Sequence, residues 1–351
     1  MGFSVYAGWK QFLNWLDLHR KQRLILLPET SKYKILIIRL SSLGDILLTT
    51  PVIRALSKKY PNSQIDYVVK KQYSSSLQYN PLISSLYLYE KEKAKGVKEQ
   101  IQKMKYDLVI DLQNNLRSCA LTLGLRTEVK RFKKPTFKKL LLVWTKINQL
   151  KEIKPIPMRY AETASLQLDD KGLDLFIPEN IKPKLTTGQK YIGICPGAKH
   201  FTKRWPEEYF IELGNKLSSQ NFTVVIFGGK DDLELCEAVS SKIENSINLC
   251  NNDDLLRTAS NMKQCQHIIC NDSGLMHTAT AVGVPITPIF GSTVSEFGFI
   301  PYQSNNTILE NNSLSCRPCS HIGRSSCPQK HFKCMKEIKP NTVFDHIKSF
   351  L

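Results

Sequence analysis

The sequence predicts an α/β protein built from two doubly wound domains. Two passages, which begin at residues 34 and 191, share one order of elements: a short apolar strand, a turn that contains glycine, and a helix. This order is typical of the start of a doubly wound α/β domain. The length of 351 residues agrees, because it exceeds one ordinary domain and suits two domains with separate cores.

In the first half, the apolar run at residues 34–40 predicts a buried parallel strand. Residues 41–45 form the glycine-containing turn, and residues 46–59 have the pattern of a helix. Further strands are predicted at residues 63–69 and 106–111. Parallel strands need helical crossovers, so this half predicts one sheet covered by helices.

The second half repeats this order. A strand is predicted at residues 191–195, followed by a turn at Pro196 and Gly197 and a helix that residues 205–208 introduce. Two more strands are predicted at residues 223–227 and 267–270. These elements indicate a second domain of the same type.

The segment at residues 177–188 is rich in Pro, Thr and Lys and has no apolar period, which is typical of a linker. Residues 343–351 have the pattern of a short terminal helix. We therefore predict an N-terminal extension over residues 1–31, a first domain over 32–178, a linker over 179–188, a second domain over 189–338 and a C-terminal helix over 339–351.

The composition is strongly basic. Lys and Arg number 49 against 31 Asp and Glu, which gives a formal charge of +18. Such a charge attracts polyanions over a long range, so nucleic acid, an anionic membrane and a phosphorylated glycolipid are all candidate partners. A solvated lysine-rich surface is the alternative explanation.

The chain has no apolar run long enough to span a bilayer, and its first residues lack the pattern of a secretory signal. The N-terminal segment contains Trp15 among basic residues in an amphipathic pattern. Such a helix suits a lipid headgroup surface, and it also suits packing on the first domain. We expect a cytoplasmic protein.

Asp45 lies where the first predicted strand ends and the next helix begins, in the motif Ser-Ser-Leu-Gly-Asp at residues 41–45. Open α/β sheets bind ligands at the carboxyl ends of their strands, so this motif marks a candidate site. In a second interpretation the carboxylate only stabilises the positive end of the helix. Under both interpretations the helix favours the ionised form of Asp45. At a ligand site Asp45 would act as a base because it is charged and correctly placed.

The motif Asn-Asp-Ser-Gly-Leu-Met-His at residues 271–277 holds the same position in the second half. Gly274 permits close approach of the backbone, and exposed amides at the start of the next helix can hold a phosphate. Asp272 can accept hydrogen bonds from ribose or sugar hydroxyls. A Ser273 nucleophile with His277 as its base is also conceivable, although the glycine pattern of a nucleophile elbow is missing.

Residues 196–206 form a basic loop before a predicted helix. Lys199, Lys203 and Arg204 are available there to neutralise a diphosphate. The sequence contains neither a Walker lysine loop nor a G-x-G-x-x-G motif after a predicted strand, which argues against an ATPase and a dinucleotide dehydrogenase.

Ten cysteines in a chain without a recognisable secretory signal indicate a reducing compartment. Four of them, Cys316, Cys319, Cys327 and Cys334, lie close together with two histidines between them. This spacing allows a structural zinc site with four ligands, and a reduced loop bent by Gly and Pro is the alternative.

Five motifs in this order resemble those of the lipopolysaccharide heptosyltransferases of glycosyltransferase family 9, from residue 34 to the C-terminus. The motifs are Ile-Ile-Arg-Leu-Ser-Ser-Leu-Gly-Asp at 37–45 with Thr-Pro at 50–51, Asp-Leu-Gln-Asn-Asn-Leu-Arg-Ser at 111–118, Pro-Gly-Ala at 196–198 with Lys-Arg-Trp-Pro at 203–206, Asn-Asp-Ser-Gly-Leu-Met-His at 271–277, and Phe-Gly-Ser-Thr at 290–293.

The resemblance implies a GT-B architecture: two facing Rossmann-like domains, of which the first holds the acceptor and the second the nucleotide sugar, with a final helix that crosses back onto the first domain. It also implies inverting transfer without a catalytic metal or cofactor. The implied donor is ADP-heptose, and the implied acceptor is the inner core of lipopolysaccharide at the cytoplasmic face of the inner membrane.

The resemblance also assigns roles to residues of this chain. Asp45 becomes the general base, and Lys203 becomes the countercharge to the leaving diphosphate. The donor residues are Pro196, Gly197, Lys203, Asp272, Ser273, Gly274, Leu275, Met276, His277 and Thr293. The acceptor residues are Ser42, Gly44, Gln113 and Arg117.

The chain departs from the family pattern at three places. Ala198 and Lys199 stand where members often have Thr or Ser, Val294-Ser295 replaces a common Asp-Pro, and the segment before residue 32 has no recognised counterpart in the family. The cysteine cluster resembles the tail of the second heptosyltransferase more than that of the first. This similarity implies a first heptose as acceptor, where Kdo-lipid A is the other candidate.

The leading hypothesis is therefore an inverting heptosyltransferase. The alternatives are a relative that uses another nucleotide sugar or glycan acceptor, a basic nucleic-acid-binding protein, and a membrane-surface scaffold. The chain lacks RNP aromatics, a homeodomain and zinc-finger spacing, so no nucleic acid partner is expected.

Overall fold

The structure is a computed structural model that describes residues 32–150, 152–251, 254–348 and 350. The amphipathic segment predicted at residues 1–31 lies outside the described residues. Within the described part, the helices are all too short or too polar to cross a bilayer.

The first sheet has five parallel strands in the order β3-β2-β1-β4-β5. They are β1 (Lys34–Ile38), β2 (Gln64–Lys70), β3 (Ser85–Tyr89), β4 (Leu108–Asp111) and β5 (Glu128–Arg131). The central strand β1 is covered on both faces, since Ile35 and Ile37 join one core cluster and Leu36 and Ile38 join another. This explains why its sequence is an unbroken apolar run.

Among the described residues, six α-helices accompany this sheet. They are α1 (Leu43–Leu47), α2 (Thr50–Lys59), α3 (Ala94–Met104), α4 (Leu116–Thr122), α5 (Thr136–Thr145) and α6 (Ile156–Thr163).

The prediction of one helix over residues 46–59 is wrong, because α1 and α2 are separate and α1 begins at Leu43. Pro51 lacks an N–H that could bond to the carbonyl of Leu47, so the first helix ends there. The hydroxyl of Thr50 donates to that carbonyl at 2.8 Å instead. The break leaves α1 as a short separate turn at the carboxyl end of β1.

The second sheet has six parallel strands in the order β11-β10-β9-β6-β7-β8. They are β6 (Tyr191–Cys195), β7 (Thr223–Ile226), β8 (Ser246–Asn248), β9 (Cys265–Asn271), β10 (Ile286–Phe290) and β11 (Leu309–Glu310). Its helices are α7 (Glu207–Ser218), α8 (Leu233–Ser240), α9 (Leu255–Met262), α10 (Gly274–Ala281), α11 (Lys333–Lys336) and α12 (Pro340–Lys348).

The two halves meet where α1 faces α10. A Cβ atom added at Gly44 would lie 2.5 Å from Cδ2 of His277, and one added at Gly274 would lie 3.3 Å from Cδ2 of Leu43. Glycine at position 44 thus permits a contact that a larger residue would prevent. The carboxyl edges of the two sheets are brought together by this contact.

The expectation that the final helix crosses back onto the first domain does not hold for α12. Its buried residues Val343 and Ile347 are one helical turn apart and belong to a core cluster of the second half, beside α7. The chain before α12 is held there too, since Nε1 of Trp205 donates to the carbonyl of Ile338 at 2.8 Å.

Residues 298–303 make the return contact instead. The carbonyl of Gly298 accepts from the backbone N–H of Ile156 at 2.9 Å, and Tyr302 is buried in a core cluster of the first half.

Candidate active site

A cleft of about 410 Å³ lies between the carboxyl ends of the two sheets. It is lined from the first half by Ser42, Leu43, Gly44, Asp45 and Tyr73, and from the second half by Lys199, His200, Lys203, Asp272, Ser273, Gly274, His277, Phe290, Thr293, Val294, Phe297, Phe299, His321 and Ile322. Most residues of the two predicted sites therefore share one cavity.

Asp45 is the carboxylate that the first half presents to the cleft. Its Oδ2 accepts from the backbone N–H of Ser42 at 3.1 Å and from the Ser42 hydroxyl at 2.7 Å, as a residue at the start of a helix does. Its Oδ1 forms an ion pair with Nη2 of Arg39 at 2.5 Å and accepts from the Tyr160 hydroxyl at 3.4 Å. Asp45 thus stabilises the helix start and also faces the cleft.

These contacts decide the charge of Asp45. Burial alone would raise its pKa, but the Arg39 guanidinium and the hydrogen bonds from Ser42 together lower the pKa below its usual value. Asp45 is therefore ionised at neutral pH. Burial raises the pKa of Tyr160 well above its usual value, so this phenol remains a neutral hydrogen-bond donor.

Arg39 and Tyr160 were missed at the sequence level. Arg39 follows the last residue of β1, and its Nη1 also donates to the carbonyl of Leu112 at 2.6 Å. A charged residue directly after a buried apolar strand is a signal that points to a partner nearby. Tyr160 comes from α6, 115 residues beyond Asp45, and no local pattern marks it.

Gln113 and Arg117 were both expected on the acceptor side, and the structure separates them. Oε1 of Gln113 accepts from the backbone N–H groups of Leu40 and Ser41, at 2.9 and 3.2 Å, so this buried side chain supports the turn before α1. Arg117 is exposed and lines a different cavity of about 570 Å³ beside β3. Arg117 does not share the cavity with Asp45, because the inward face of α4 belongs to other residues, among them Ser118, and its role as an acceptor residue stays a prediction.

Lys203 and Asp272 form an ion pair at 2.6 Å on the other side of the cleft. Oδ2 of Asp272 also accepts from the Thr293 hydroxyl at 2.7 Å. The side chains of Lys203 and Asp272 are 16 % and 7 % exposed, so solvent screens this pair only partly. The predicted donor residues Lys203, Asp272 and Thr293 therefore form one connected group.

The residues of α10 separate by helical face. Gly274 and His277 line the cleft, together with Ser273 at the N-cap. Met276 is fully buried in the core of the second half, and Leu275 packs against that core. The side chain of Met276 does not reach the cleft, because its position on the helix directs it inward, and a donor contact of this residue stays a prediction for its backbone only.

The Ser273 and His277 pair does not form a nucleophile and base. The Ser273 hydroxyl and Nδ1 of His277 are buried, and neither has a hydrogen-bond partner among the described residues. Burial lowers the pKa of His277 to about 4, with carboxylates nearby opposing the shift, so the imidazole is neutral at pH 7. A serine nucleophile needs a hydrogen bond to its base.

Pro196 and Gly197 are buried and do not line the cleft. The carbonyl of Pro196 accepts from Nδ2 of Asn271 at 2.7 Å, which ties the ends of β6 and β9 together. A Cβ atom added at Gly197 would clash with the carboxyl group of Asp232, so glycine allows the two loops to pack closely here.

The structure does not confirm the predicted zinc site at the cysteine cluster. The thiols of Cys316, Cys319, Cys327 and Cys334 form no disulfide, and no group of three or more His, Cys, Asp or Glu side chains within the described ranges is arranged to hold a metal ion. Burial raises the pKa of Cys334 to about 12, which favours its protonated thiol. The structural zinc site stays a prediction beside the alternative of a reduced loop.

The arrangement of the cleft suits group transfer from an anionic leaving group to a hydroxyl. The first half supplies an ionised carboxylate that can accept a proton. The second half supplies Lys203 and the N-terminal amides of an eight-residue helix, which are groups that hold phosphate oxygens.

Comparison with known families supports this interpretation. The sequence model described as "Glycosyltransferase family 9 (heptosyltransferase)" matches residues 95–330. Lipooligosaccharide heptosyltransferase 2 from Campylobacter jejuni is 29 % identical over 87 % of this chain and 95 % of its own length. Lipopolysaccharide heptosyltransferase 1 from Pseudomonas aeruginosa is 24 % identical over 82 % of this chain and 86 % of its own.

Solved structures give the same result for the fold. A family 9 glycosyltransferase from Veillonella parvula superposes with a TM-score of 0.76 at 25 % identity, covering 92 % of this chain and 99 % of that one. ADP-heptose heptosyltransferase II from Escherichia coli superposes with a TM-score of 0.71 at 20 % identity, covering 90 % and 98 %. The predicted GT-B architecture of two facing Rossmann-like domains is confirmed.

Proposed function

Since this chain belongs to glycosyltransferase family 9, the heptosyltransferase family, we propose that it transfers heptose from ADP-heptose to the inner core of lipopolysaccharide. The observation that carries this proposal is the cleft itself. An ionised Asp45 on one side faces Lys203 and the start of α10 on the other. This pairing supplies a proton acceptor and a diphosphate site within one cavity.

On the donor side, the diphosphate binds between Lys203 and the backbone amides at Gly274 and Leu275. Lys203 neutralises Asp272 in the structure, and the donor competes for the same cation. Asp272 and Thr293 are then free to bond to sugar or ribose hydroxyls. The charge of the leaving ADP is met by these protein groups, in line with the metal-independent transfer that the resemblance implies.

On the acceptor side, Asp45 takes the proton of the attacking hydroxyl. The acceptor oxygen forms a bond to the anomeric carbon of heptose while the bond from that carbon to the diphosphate oxygen breaks. The electron pair leaves with ADP, and attack from the opposite face inverts the anomeric centre. Arg39 and Tyr160 hold Asp45 at the position that this attack requires.

For the acceptor we propose an inner core that already carries its first heptose. Relatives from Campylobacter jejuni and Haemophilus influenzae, at 29 % and 26 % identity, are heptosyltransferases of the second type, which supports this choice. Kdo-lipid A is the competing acceptor. The net charge of +18 suits either one, because both are anionic and lie in a charged leaflet.

The same charge supports a location at the cytoplasmic face of the inner membrane, with peripheral contact to anionic lipid. We propose that the enzyme meets its acceptor there.

Turnover of ADP-heptose with defined acceptors tests donor and acceptor together. We expect ADP release and a new heptosyl linkage with the heptosylated inner core, and much slower reaction with Kdo-lipid A. Thermal-shift measurements with ADP, UDP and GDP, alone and as their sugars, provide the control. Stabilisation by UDP or GDP compounds but not by ADP compounds would show that the donor assignment is wrong.

A further inference from the structure

Helix α5 has one face packed inside the protein. Leu142 and Val143 are buried against Val294 and Phe297, two residues that line the catalytic cleft. The helix end is also fixed, since Nζ of Lys146 donates to the carbonyl of Pro318 at 2.7 Å. Helix α5 is therefore attached to the wall of the active site.

The opposite face of α5 presents large aromatic side chains to solvent. Phe137 is 75 % exposed and Trp144 is 74 % exposed, and Ile147 just beyond the helix is 57 % exposed. Phe137 and Trp144 are seven residues apart, so they lie on the same side of the helix. Two exposed aromatic side chains on one helix face, two turns apart, mark a candidate interaction surface.

The segment that carries this face has charges of one sign only. Between Lys130 and Lys146 there are seven Lys or Arg residues and no Asp or Glu. Lys133, Lys134 and Lys138 are exposed beside the aromatic face. An exposed helix face with aromatic side chains in its centre and lysines at its border is typical of helices that lie in a lipid headgroup layer.

A cavity of about 630 Å³ opens next to the helix and is lined by Lys138 of α5 and by Pro135 just before it. Its other charged lining residues are the cations Arg131, Lys133, Lys154 and Arg159 and the carboxylates Glu152 and Glu162, of which Glu162 pairs with Lys154. Cations outnumber carboxylates in this lining, so the surface beside α5 favours anionic headgroups.

We propose that α5 docks this protein on an anionic bilayer, with Phe137 and Trp144 inserted at the headgroup boundary and the lysines bound to lipid phosphates. Docking places the wall of the cleft next to the leaflet that contains the acceptor, a step that depends on the proposed function. The partner is the lipid surface itself, and the insertion of two aromatic residues requires no membrane span.

Vesicle co-sedimentation of the full-length protein tests this inference. The probe is phosphatidylcholine vesicles with about 30 % phosphatidylglycerol, compared with phosphatidylcholine alone. The variant is Phe137→Gln with Trp144→Gln, and the matched control is Leu123→Gln, which removes an apolar side chain that is 70 % exposed elsewhere in the first half. All affected side chains are exposed, so the fold is expected to persist.

We expect the wild type and the control to bind anionic vesicles and the double variant to bind at least roughly tenfold more weakly, since two aromatic side chains lose their apolar contact. Binding of the double variant equal to that of the wild type would overturn the proposal. A wild type that fails to bind anionic vesicles would also overturn it. A wild-type dimer in analytical sedimentation that becomes a monomer in the double variant would overturn it as well, because the face would then bind a second copy of the chain.

Activity separates this inference from the proposed function. Turnover of an acceptor embedded in vesicles is expected to fall in the double variant, while turnover of a delipidated core oligosaccharide stays within about twofold of the wild type, because neither side chain lines the cleft. If no acceptor is turned over by the wild type, the proposed function fails, and vesicle binding still decides the role of α5.

Discussion

Replacement of Asp45 by asparagine tests the base in the proposed mechanism. Asparagine has nearly the same size, and its oxygen can still accept from the backbone N–H of Ser42, which Asp45 does at 3.1 Å. The change removes the charge that Arg39 pairs with at 2.5 Å. The shape of the cleft is thus kept while the proton acceptor is lost.

The structure separates two costs of this change. Removal of one partner from a buried ion pair costs about 3–5 kcal/mol of stability, because the other charge stays buried. Arg39 keeps its bond to the carbonyl of Leu112 at 2.6 Å and asparagine keeps its bond to Ser42, so we expect the fold to survive with a lower free energy of unfolding. A positioned base contributes roughly 100- to 10,000-fold to the rate, so turnover should fall by that factor. Donor affinity should change little, because Lys203 and α10 hold the diphosphate.

The assay is initial-rate measurement of ADP release together with calorimetric titration of ADP. The matched control is Asp107→Asn at the opposite edge of the same sheet. Like Asp45, Asp107 accepts a hydrogen bond from a backbone N–H through its Oδ2, in this case from Lys34 at 2.8 Å. We expect normal turnover in the control. Turnover of Asp45→Asn within about threefold of the wild type would remove Asp45 from the mechanism.

Three further substitutions test neighbouring parts of the site. Lys203→Ala should lower kcat/KM roughly 10- to 150-fold and weaken ADP binding, because Lys203 neutralises diphosphate charge that is already present in the ground state. A lower kcat with unchanged ADP affinity in calorimetric titration would contradict this. Gly44→Ala places a Cβ atom 2.5 Å from Cδ2 of His277, and an overpacking cost of about 1–3 kcal/mol should slow turnover roughly 5- to 150-fold without weakening ADP binding. Unchanged kinetics would show that the two domains do not need this contact. Arg39→Met removes the cation that lowers the pKa of Asp45, while burial still raises that pKa, so the acidic limb of the plot of kcat/KM against pH should move to higher pH. An acidic limb at the same pH would mean that Asp45 is not the titrating group.

The pKa shift of Asp45 also predicts how stability depends on pH. The folded-state pKa is lower than the unfolded value, so the ion pair with Arg39 stabilises the fold at every pH above the usual aspartate range. This contribution is lost as the pH falls through the folded-state pKa. Urea denaturation of the wild type and Asp45→Asn should therefore differ at neutral pH and converge in acid. A difference that persists unchanged in acid would contradict the assigned pKa shift.

Much of the fold was predictable because its signals are local. The run that became β1 is apolar at every position, which happens when both faces of a parallel strand are covered. The turns at Gly44 and Gly274 follow strand ends, and strand ends of one sheet share an edge. Asp45, Lys203 and Asp272 could therefore be placed in sites, although not yet in one cleft.

Other parts depended on contacts that no local pattern contains. Tyr160 reaches Asp45 across 115 residues. Met276 and His277 are neighbours in sequence, yet one enters the core and the other the cleft, because the orientation of α10 on its sheet decides which face is inward. Arg117 lines a different cavity for the same reason, because the orientation of α4 decides which of its side chains face inward.

The sequence by itself determined the two parallel domains, the strand-end position of Asp45 and the resemblance that identifies the family. Local periodicity and turn chemistry are enough for these, because each involves residues within one element. The tertiary structure alone decided that Arg39 keeps Asp45 ionised, that Lys203 pairs with Asp272, and that α12 packs on the second half. These outcomes depend on distances between side chains far apart in sequence, which only the packing of the elements specifies.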